Sequence, residues 1–374
     1  MLKGIYLTLM IGPVEPVIAP KEVVDSLTSV QVTSSKERSG FQLSFSVAKN
    51  SLLITTLLPA GYFDPIVTRV LIIVTLNGIP NVIMDGLITN QEYAPSNDPG
   101  QSKLTITGED LSIAMDVVDM VFPYPALPEV AIINLILARY AFLGIVPLVI
   151  PPFIPVVDSP TNKWRTQRGT DRAYIKNLAQ QNGYIFFVEP GPAPGTSVAY
   201  FGPDVNLPLP QPALTINMDS ATNVESLSFS LDGQAKKLRV FTILDPETGA
   251  IPIPIPVPNI NAFKPPLGLR PTPPAKVEIS KEGSKVTPAK AAQTILGFMM
   301  NNSTAITANG SLDVLRYESM LRARLMVGVR GAGLGYDGMY YVDSVTHNIK
   351  QGEYKQNFTL SRDGLISSTP FLPA

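Results

Sequence analysis

Residues 339–362 carry the pattern that most restricts the fold. Apolar and polar positions alternate from Met339 to Ile349 and again from Tyr354 to Arg362, on either side of Gln351-Gly352. Glycine supplies the positive φ that a tight two-residue turn needs. A turn centred there pairs Ile349 with Tyr354, His347 with Gln356, Val345 with Phe358 and Asp343 with Leu360. The opposite face then sets Lys350 against Glu353, Asn348 against Lys355, Thr346 against Asn357 and Ser344 against Thr359. Side chains alternate with period two, so a slip of one residue would invert both faces. The chain must supply an antiparallel sheet with one face in a core and the other in water.

The same code recurs upstream. Phe41, Leu43, Phe45 and Val47 alternate with Gln42, Ser44, Ser46 and Ala48, and Leu227, Phe229 and Leu231 alternate with serines. Gly4 to Gly12 reads as a strand, too short for a secretory core. Residues 70–76 and 79–88 flank Asn77-Gly78, a strong hairpin signal. A further strand is expected over 104–107, a short helix over 109–118, and a strand over 238–244 that pairs with 227–231. Leu321, Ala323, Leu325, Val327 and Val329 mark one face of a long strand, with Arg322, Arg324 and Arg330 on the other. That arginine row is either a solvated face or the lining of a lumen or subunit contact.

Between the β-rich parts lies a different pattern. Residues 129–142 read as a buried helix, and Pro147, Pro151, Pro152 and Pro155 together with Arg139 argue against a membrane span. Thr170 suits an N-cap, Asp171 the positive end of the helix dipole, and Gly183 the C-terminal left-handed position. Strands 184–188 and 197–201 follow. A last helix opens at Pro288 and runs to about Asn301. The expected division is a first β unit over 1–125, an inserted α+β unit over 126–220 and a second β unit over 221–374. The fold class is mainly β (α+β), and strands at this spacing suggest a barrel or a sandwich for the β units that flank the insert.

Composition removes several function classes. At 374 residues the chain is long enough for two or three cores, and 45% hydrophobic residues exclude general disorder. A net charge of −1 gives no basic footprint for duplex nucleic acid. Without cysteine there is no disulfide or thiolate chemistry. The 36 prolines and 27 glycines favour short strands and extended arms over long helices. Ten of those prolines fall within 246–274, where Ile251, Ile253, Ile255 and Val257 alternate with proline. Alternate prolines remove alternate N–H donors, so this stretch is an edge strand or an extended arm. It either captures a partner through that apolar row or merely crosses the surface as a linker.

Catalytic constellations are not legible. The sole histidine, His347, stands opposite Gln356 in a hairpin, which suits a cross-strand polar pair better than a metal ligand or a serine–histidine dyad. Asp116 and Asp119 have no partner motif for acid–base work. Gly331-Ala332-Gly333-Leu334-Gly335 precedes a strand and lacks a following Lys-Ser/Thr, so it reads as a bulged turn and not a phosphate loop. No catalytic residue, cofactor or metal is expected.

Taken together, several stretches resemble the baseplate hub proteins of contractile phage tails and related injection systems. That family includes the late-control-D proteins and the hub half of the valine–glycine repeat spike proteins of type VI secretion. The resemblance is carried by residues 4–13, Ser39-Gly40-Phe41-Gln42-Leu43, Gln167-Arg168-Gly169-Thr170-Asp171 leading into 182–189, Val329 to Gly333, Tyr336 to Val342, and the closing hairpin to Gly364. It spans almost the whole chain, and no single motif is diagnostic. It implies two tube-like antiparallel β-barrels flanking the insert, and a homotrimeric ring that joins a sixfold tail tube to a threefold spike. The implied partners are tube, spike and other baseplate proteins, with no specific nucleic acid and no stable membrane insertion. The implied location is the baseplate of a virion tail or injection particle made in the bacterial cytoplasm. No spike or lysozyme-like pattern follows Gly364, so the tip is expected to be a separate protein. In that setting the small-polar face of Ser344, Thr346, Asn357 and Thr359 is a candidate channel lining. The alternative is a free-standing β-rich module such as a tail-fibre or carbohydrate-binding protein. Such a module calls for clustered exposed aromatics, whereas the only tryptophan, Trp164, lies beside the inserted helix.

Overall fold

The computed structural model describes residues 4–36, 38–98, 100–154, 165–205, 209–244, 252–257, 264–280, 288–300 and 304–368. The chain starts with strands β1 (Ile5–Gly12) and β2 (Val17–Ile18) and the short helix α1 (Lys21–Ser26). Strands β3 (Leu27–Ser35), β4 (Ser39–Val47), β5 (Arg69–Leu76), β6 (Ile79–Ala94) and β7 (Ser102–Asp110) follow. Positive φ at Asn77 (51°) and Gly78 (83°) closes the β5–β6 hairpin as its sequence requires. In place of the helix expected over 109–118 there is a short 3₁₀ segment, Leu111–Asp116, whose first turn Asp110 caps by accepting from the Ser112 N–H.

The middle of the chain comprises β8 (Asp119–Tyr124), α2 (Glu129–Ala138), β9 (Ile145–Val149), β10 (Arg165–Thr170), α3 (Asp171–Asn182), β11 (Tyr184–Pro190) and β12 (Ser197–Pro203). Thr170 Oγ1 accepts from the Ala173 N–H, and Gly183 ends α3 at φ 67°. Between them Ile175, Leu178 and Ala179 are buried, as the spacing predicts. Trp164 lies outside the described residues.

The last part comprises β13 (Pro210–Thr215), β14 (Val224–Leu231), β15 (Lys237–Leu244), β16 (Pro252–Val257), β17 (Gly268–Pro271), β18 (Lys276–Ser280), α4 (Pro288–Met300), β19 (Ile306–Asp313), α5 (Val314–Tyr317), β20 (Met326–Arg330), β21 (Gly338–Lys350), β22 (Glu353–Arg362) and β23 (Gly364–Ser367). Strand β14 pairs with β19 and not with β15 as expected. The serines of β14 meet the matching polar face of β19, whereas the apolar β15 sits between β16 and β18 in a separate small sheet. The alternating prolines of β16 thus occupy an edge strand, one of the two places their missing donors allow. Of the expected apolar row, Ile251 lies outside the described residues, and Ile253, Ile255 and Val257 pair through their backbones with Ile243, Phe241 and Arg239.

The architecture is mainly β, with one mixed sheet of 13 strands in the order β14-β19-β22-β21-β3-β4-β7-β6-β5-β1-β2, joined by β13 and β20 at the side. Strand β21 pairs with β3, so the two expected β units share a single sheet, and no closed barrel is present among the described residues. One apolar core lies under this sheet, with Val32, Leu43, Phe45, Ile72, Val345 and Leu360 fully covered. A second core packs α2 and α3 against β11 and β12.

Candidate functional site on the polar sheet face

The closing hairpin adopts the expected register from Lys350–Glu353 back to Ser344–Thr359, with Gly352 at φ 82°. It fails at one pair: a bulge at Asp343 places Val342, not Asp343, opposite Leu360. Val345, Phe358, Ile349, Tyr354, His347 and Gln356 are buried on one side. Ser344, Thr346, Asn357 and Thr359 lie together on the other.

Neighbouring strands extend that face well beyond the hairpin. Pairing sets Ser226, Ser311, Asn357, Thr346 and Thr33 in one row across five strands, and Ser228, Asn309, Thr359, Ser344 and Ser35 in the next. A third row runs from Lys355 through Asn348, Gln31 and Gln42 to Thr107. The hydroxyls bind one another across strands: Thr33 shares a hydrogen bond with Thr346 at 3.1 Å, Ser226 with Ser311 at 2.8 Å, and Thr359 Oγ1 donates to Asn309 Oδ1 at 2.9 Å. Lys355 is flanked by Glu225 and Glu353 at 2.8 and 3.2 Å. The result is a broad wall of short, mostly uncharged polar groups that already satisfy one another, so it offers no strong anchor to a passing chain. The extension was visible as small-polar alternation in Gln31-Val32-Thr33-Ser34-Ser35 and around Asn309; which strands pair was not.

Arg322 and Arg324 lie off the strands that build this face. Only Met326–Arg330 of the expected long strand is β structure. Two glutamine side chains take the backbone groups a ladder would use: Gln356 bonds the N–H and C=O of Leu321, and Gln211 those of Arg322. Arg324 then turns the chain at φ 66°. Its guanidinium stacks on Phe187 at 4.0 Å and pairs with Glu189 at 3.0 Å, while Arg322 reaches Asn81 Oδ1 at 2.6 Å. The Arg330 carbonyl accepts from the Ile216 N–H.

Buried ionic groups serve as joints. Arg69 donates to both Asp85 oxygens at 2.7 Å and to the carbonyls of Val14 and Gly195, tying the first strands to the insert. Asp171 collects Gln167, Tyr140 and Arg139, and burial with that carboxylate pushes the Tyr140 hydroxyl up. Gln167 accepts in turn from Tyr124, so the Gln167–Asp171 stretch is a packing device. Glu129 receives Arg165, Asn182 and, from α4, Gln293. Burial would raise the Asp204 carboxyl, but Lys264 and Lys36 outweigh it and hold it low. Asp116 accepts from Thr170 and Arg172. In the glycine loop, Asp337 accepts from the Ala332 N–H, and Arg362 donates to the carbonyls of Gly335 and Asp337. The loop's Gly335 carbonyl thus meets the Arg362 guanidinium. Among the described residues no cluster of His, Asp and Glu is arranged to hold a metal ion.

No protein-family model and no curated protein matches the chain. Solved structures do match it over nearly its whole length. The tail protein from Neisseria meningitidis MC58 superposes with a TM-score of 0.60 at 14% identity, covering 97% of this chain and 98% of that one. The fold is that of phage tail proteins. The 43 kDa tail protein of prophage MuSo2 from Shewanella oneidensis gives 0.59 at 15% identity, covering 96% and 99%. The E. coli c3393 protein, a type VI secretion component described as similar to the T4 tail proteins gp27 and gp5, gives 0.52 at 12% identity, covering 93% and 76%.

Proposed function

We propose that this chain is a structural baseplate hub of a contractile tail or injection device, with no enzymatic activity of its own. Three copies form a ring between the tail tube and the spike, and the Ser/Thr/Asn face lines part of the central channel. The observation that carries this reading is the polar wall itself. It is wide, short-chained and internally hydrogen-bonded, which suits a surface past which cargo slides without binding. The shared fold with tail proteins supports the assembly context. Among the described residues the 13-stranded sheet also ends in edges at β14 and β2 that no further strand pairs, which unprotected would invite pairing and which adjacent copies would cover. A stable ring of this kind is expected to bury on the order of 2,000 Å² or more per contact. The insert, about 126–220, and the small β15–β16–β18 sheet are left outside the ring to meet other baseplate proteins.

The test is double substitution of Ser344 and Thr346 by lysine. Both side chains are partly exposed on the wet face, so folding and assembly should persist. Ejection of an anionic cargo should slow. Normal ejection by fully assembled variant particles would remove the channel assignment.

A further inference from the structure

A cleft of about 540 Å³ opens where the β5–β6 hairpin, the insert and residues 320–325 meet. Its volume is in the range of small-ligand sites. Ile83, Leu148, Ile150 and Phe187 supply apolar wall, and His347 and Arg322 line it from the closing sheet side.

His347 is 6% exposed, and its hydrogen bonds leave one nitrogen over. The Leu321 N–H donates to Gln356 Oε1, which fixes that amide so that its Nε2 points to His347 Nδ1 at 3.3 Å. The Tyr354 hydroxyl lies 2.6 Å from the same Nδ1. The Tyr354 hydroxyl can also donate to Met320 Sδ at 3.3 Å, so it is the Leu321-held Gln356 amide that assigns Nδ1 as the acceptor nitrogen and the proton of the neutral ring to Nε2. Among the described residues Nε2–H has no acceptor, yet it is not sealed in the interior. It faces the cleft.

Arg322 is the matching second group. The other charges on the walls are already neutralised, Glu189 by Arg324 and Asp204 by Lys36 and Lys264. Arg322 holds only the Asn81 amide oxygen, with no carboxylate among the described residues. Burial and then the nearby Arg322 charge pull the imidazole down to about 4, so the two donors share one space. An N–H without a protein acceptor and, beside it, a solvent-exposed guanidinium with no carboxylate partner at an apolar cleft suit an anion with an apolar body.

We propose that this cleft binds an apolar carboxylate, its oxygens taken by His347 Nε2–H and the Arg322 guanidinium and its hydrocarbon by the apolar wall. The proposal stands independently of the tail reading. Such a group comes either from a free amphiphile or from the end of a partner polypeptide.

The single histidine makes the test direct, because the full-length protein labelled with ¹⁵N-histidine shows one imidazole. The probes are octanoate and N-acetyl-Leu-Val-Leu as the free acid, with octanol and the peptide amide as neutral controls. An acid probe should move the Nε2 resonance, and its neutral control should bind at least about tenfold more weakly. Arg322→Gln should weaken the acid by about tenfold or more. That variant keeps its backbone clamp to Gln211, so it is expected to fold. Octanoate alone binding identifies a free amphiphile, and the peptide acid alone identifies a polypeptide end. An imidazole unmoved by millimolar acid, neutral controls equal to the acids, or an unchanged Arg322→Gln affinity overturns the proposal.

Discussion

Removing Asp85 is the sharpest test of how the insert is held to the sheet. Asp85 is 1% exposed and Arg69 3%, and the pair is bidentate at 2.7 Å on each arm. Ser197 Oγ, at the start of β12, also donates to Asp85 Oδ2 at 2.9 Å. Asp85→Ala leaves a buried guanidinium with only the carbonyls of Val14 and Gly195, and orphans the Ser197 hydroxyl. Breaking one side of such a pair costs about 3–5 kcal/mol. For a chain of 374 residues that corresponds to a melting shift of about 4–6 °C. Calorimetry and urea midpoints measure it against the parent. Replacing both partners, Arg69→Met with Asp85→Leu, removes the stranded charge and should recover at least half of the loss. A single-site cost under about 1 kcal/mol, or a double variant as damaged as Asp85→Ala, would refute the reasoning.

Three further outcomes follow from the structure. Val345→Asp places an uncompensated charge in the core and should prevent folding, whereas Thr346→Asp, one residue on, should cost under about 0.5 kcal/mol; expression and urea midpoints separate the two. His347 is held at about 4 by burial, below its usual 6.5, so the unfolded chain takes up a proton first. Its contribution is complete above pH 6.5, falls by on the order of 3 kcal/mol as pH drops to about 4, and is flat below. The difference in unfolding free energy between the parent and His347→Gln, followed from pH 7.5 to 4, should show that slope. Gly183→Ala combines a φ of 67° with a Cβ 2.6 Å from Gly297 Cα in α4, and should destabilise by over 2 kcal/mol or so. Gly78→Ala meets nothing within 4 Å and should cost only about 1 kcal/mol; thermal melts of both rank them.

The parts of this fold that follow local rules were legible in the chain. Period-two alternation with Gly352 determined the closing register, Asn77-Gly78 marked the β5–β6 turn, and Thr170 with Gly183 bounded α3. The rest depended on distant partners. The bulge at Asp343 coincides with its carbonyl accepting from the Lys36 N–H, a contact no local pattern announces. Residues 321–325 alternate like a strand, yet Gln211 and Gln356 occupy their backbone groups from far along the chain. The pairing of β14 with β19 bridges some 80 residues and competes with the nearer β15. Six of the fifteen positions in the three rows lay in the hairpin; Thr33, Asn309 and Ser311 were among those that joined through register. Arg322 and Arg324 misled because their alternation has the spacing of a strand face, while Arg324 in fact stacks on Phe187.

The central claim is that this chain sits in a tail baseplate with its Ser/Thr/Asn face toward the axis. Electron cryomicroscopy of the assembled particle tests it most directly. The account predicts three copies at one level between tube and spike, with Ser344, Thr346, Asn357 and Thr359 lining the lumen. Six copies or one at that level, or those four residues on the outer surface, would contradict it.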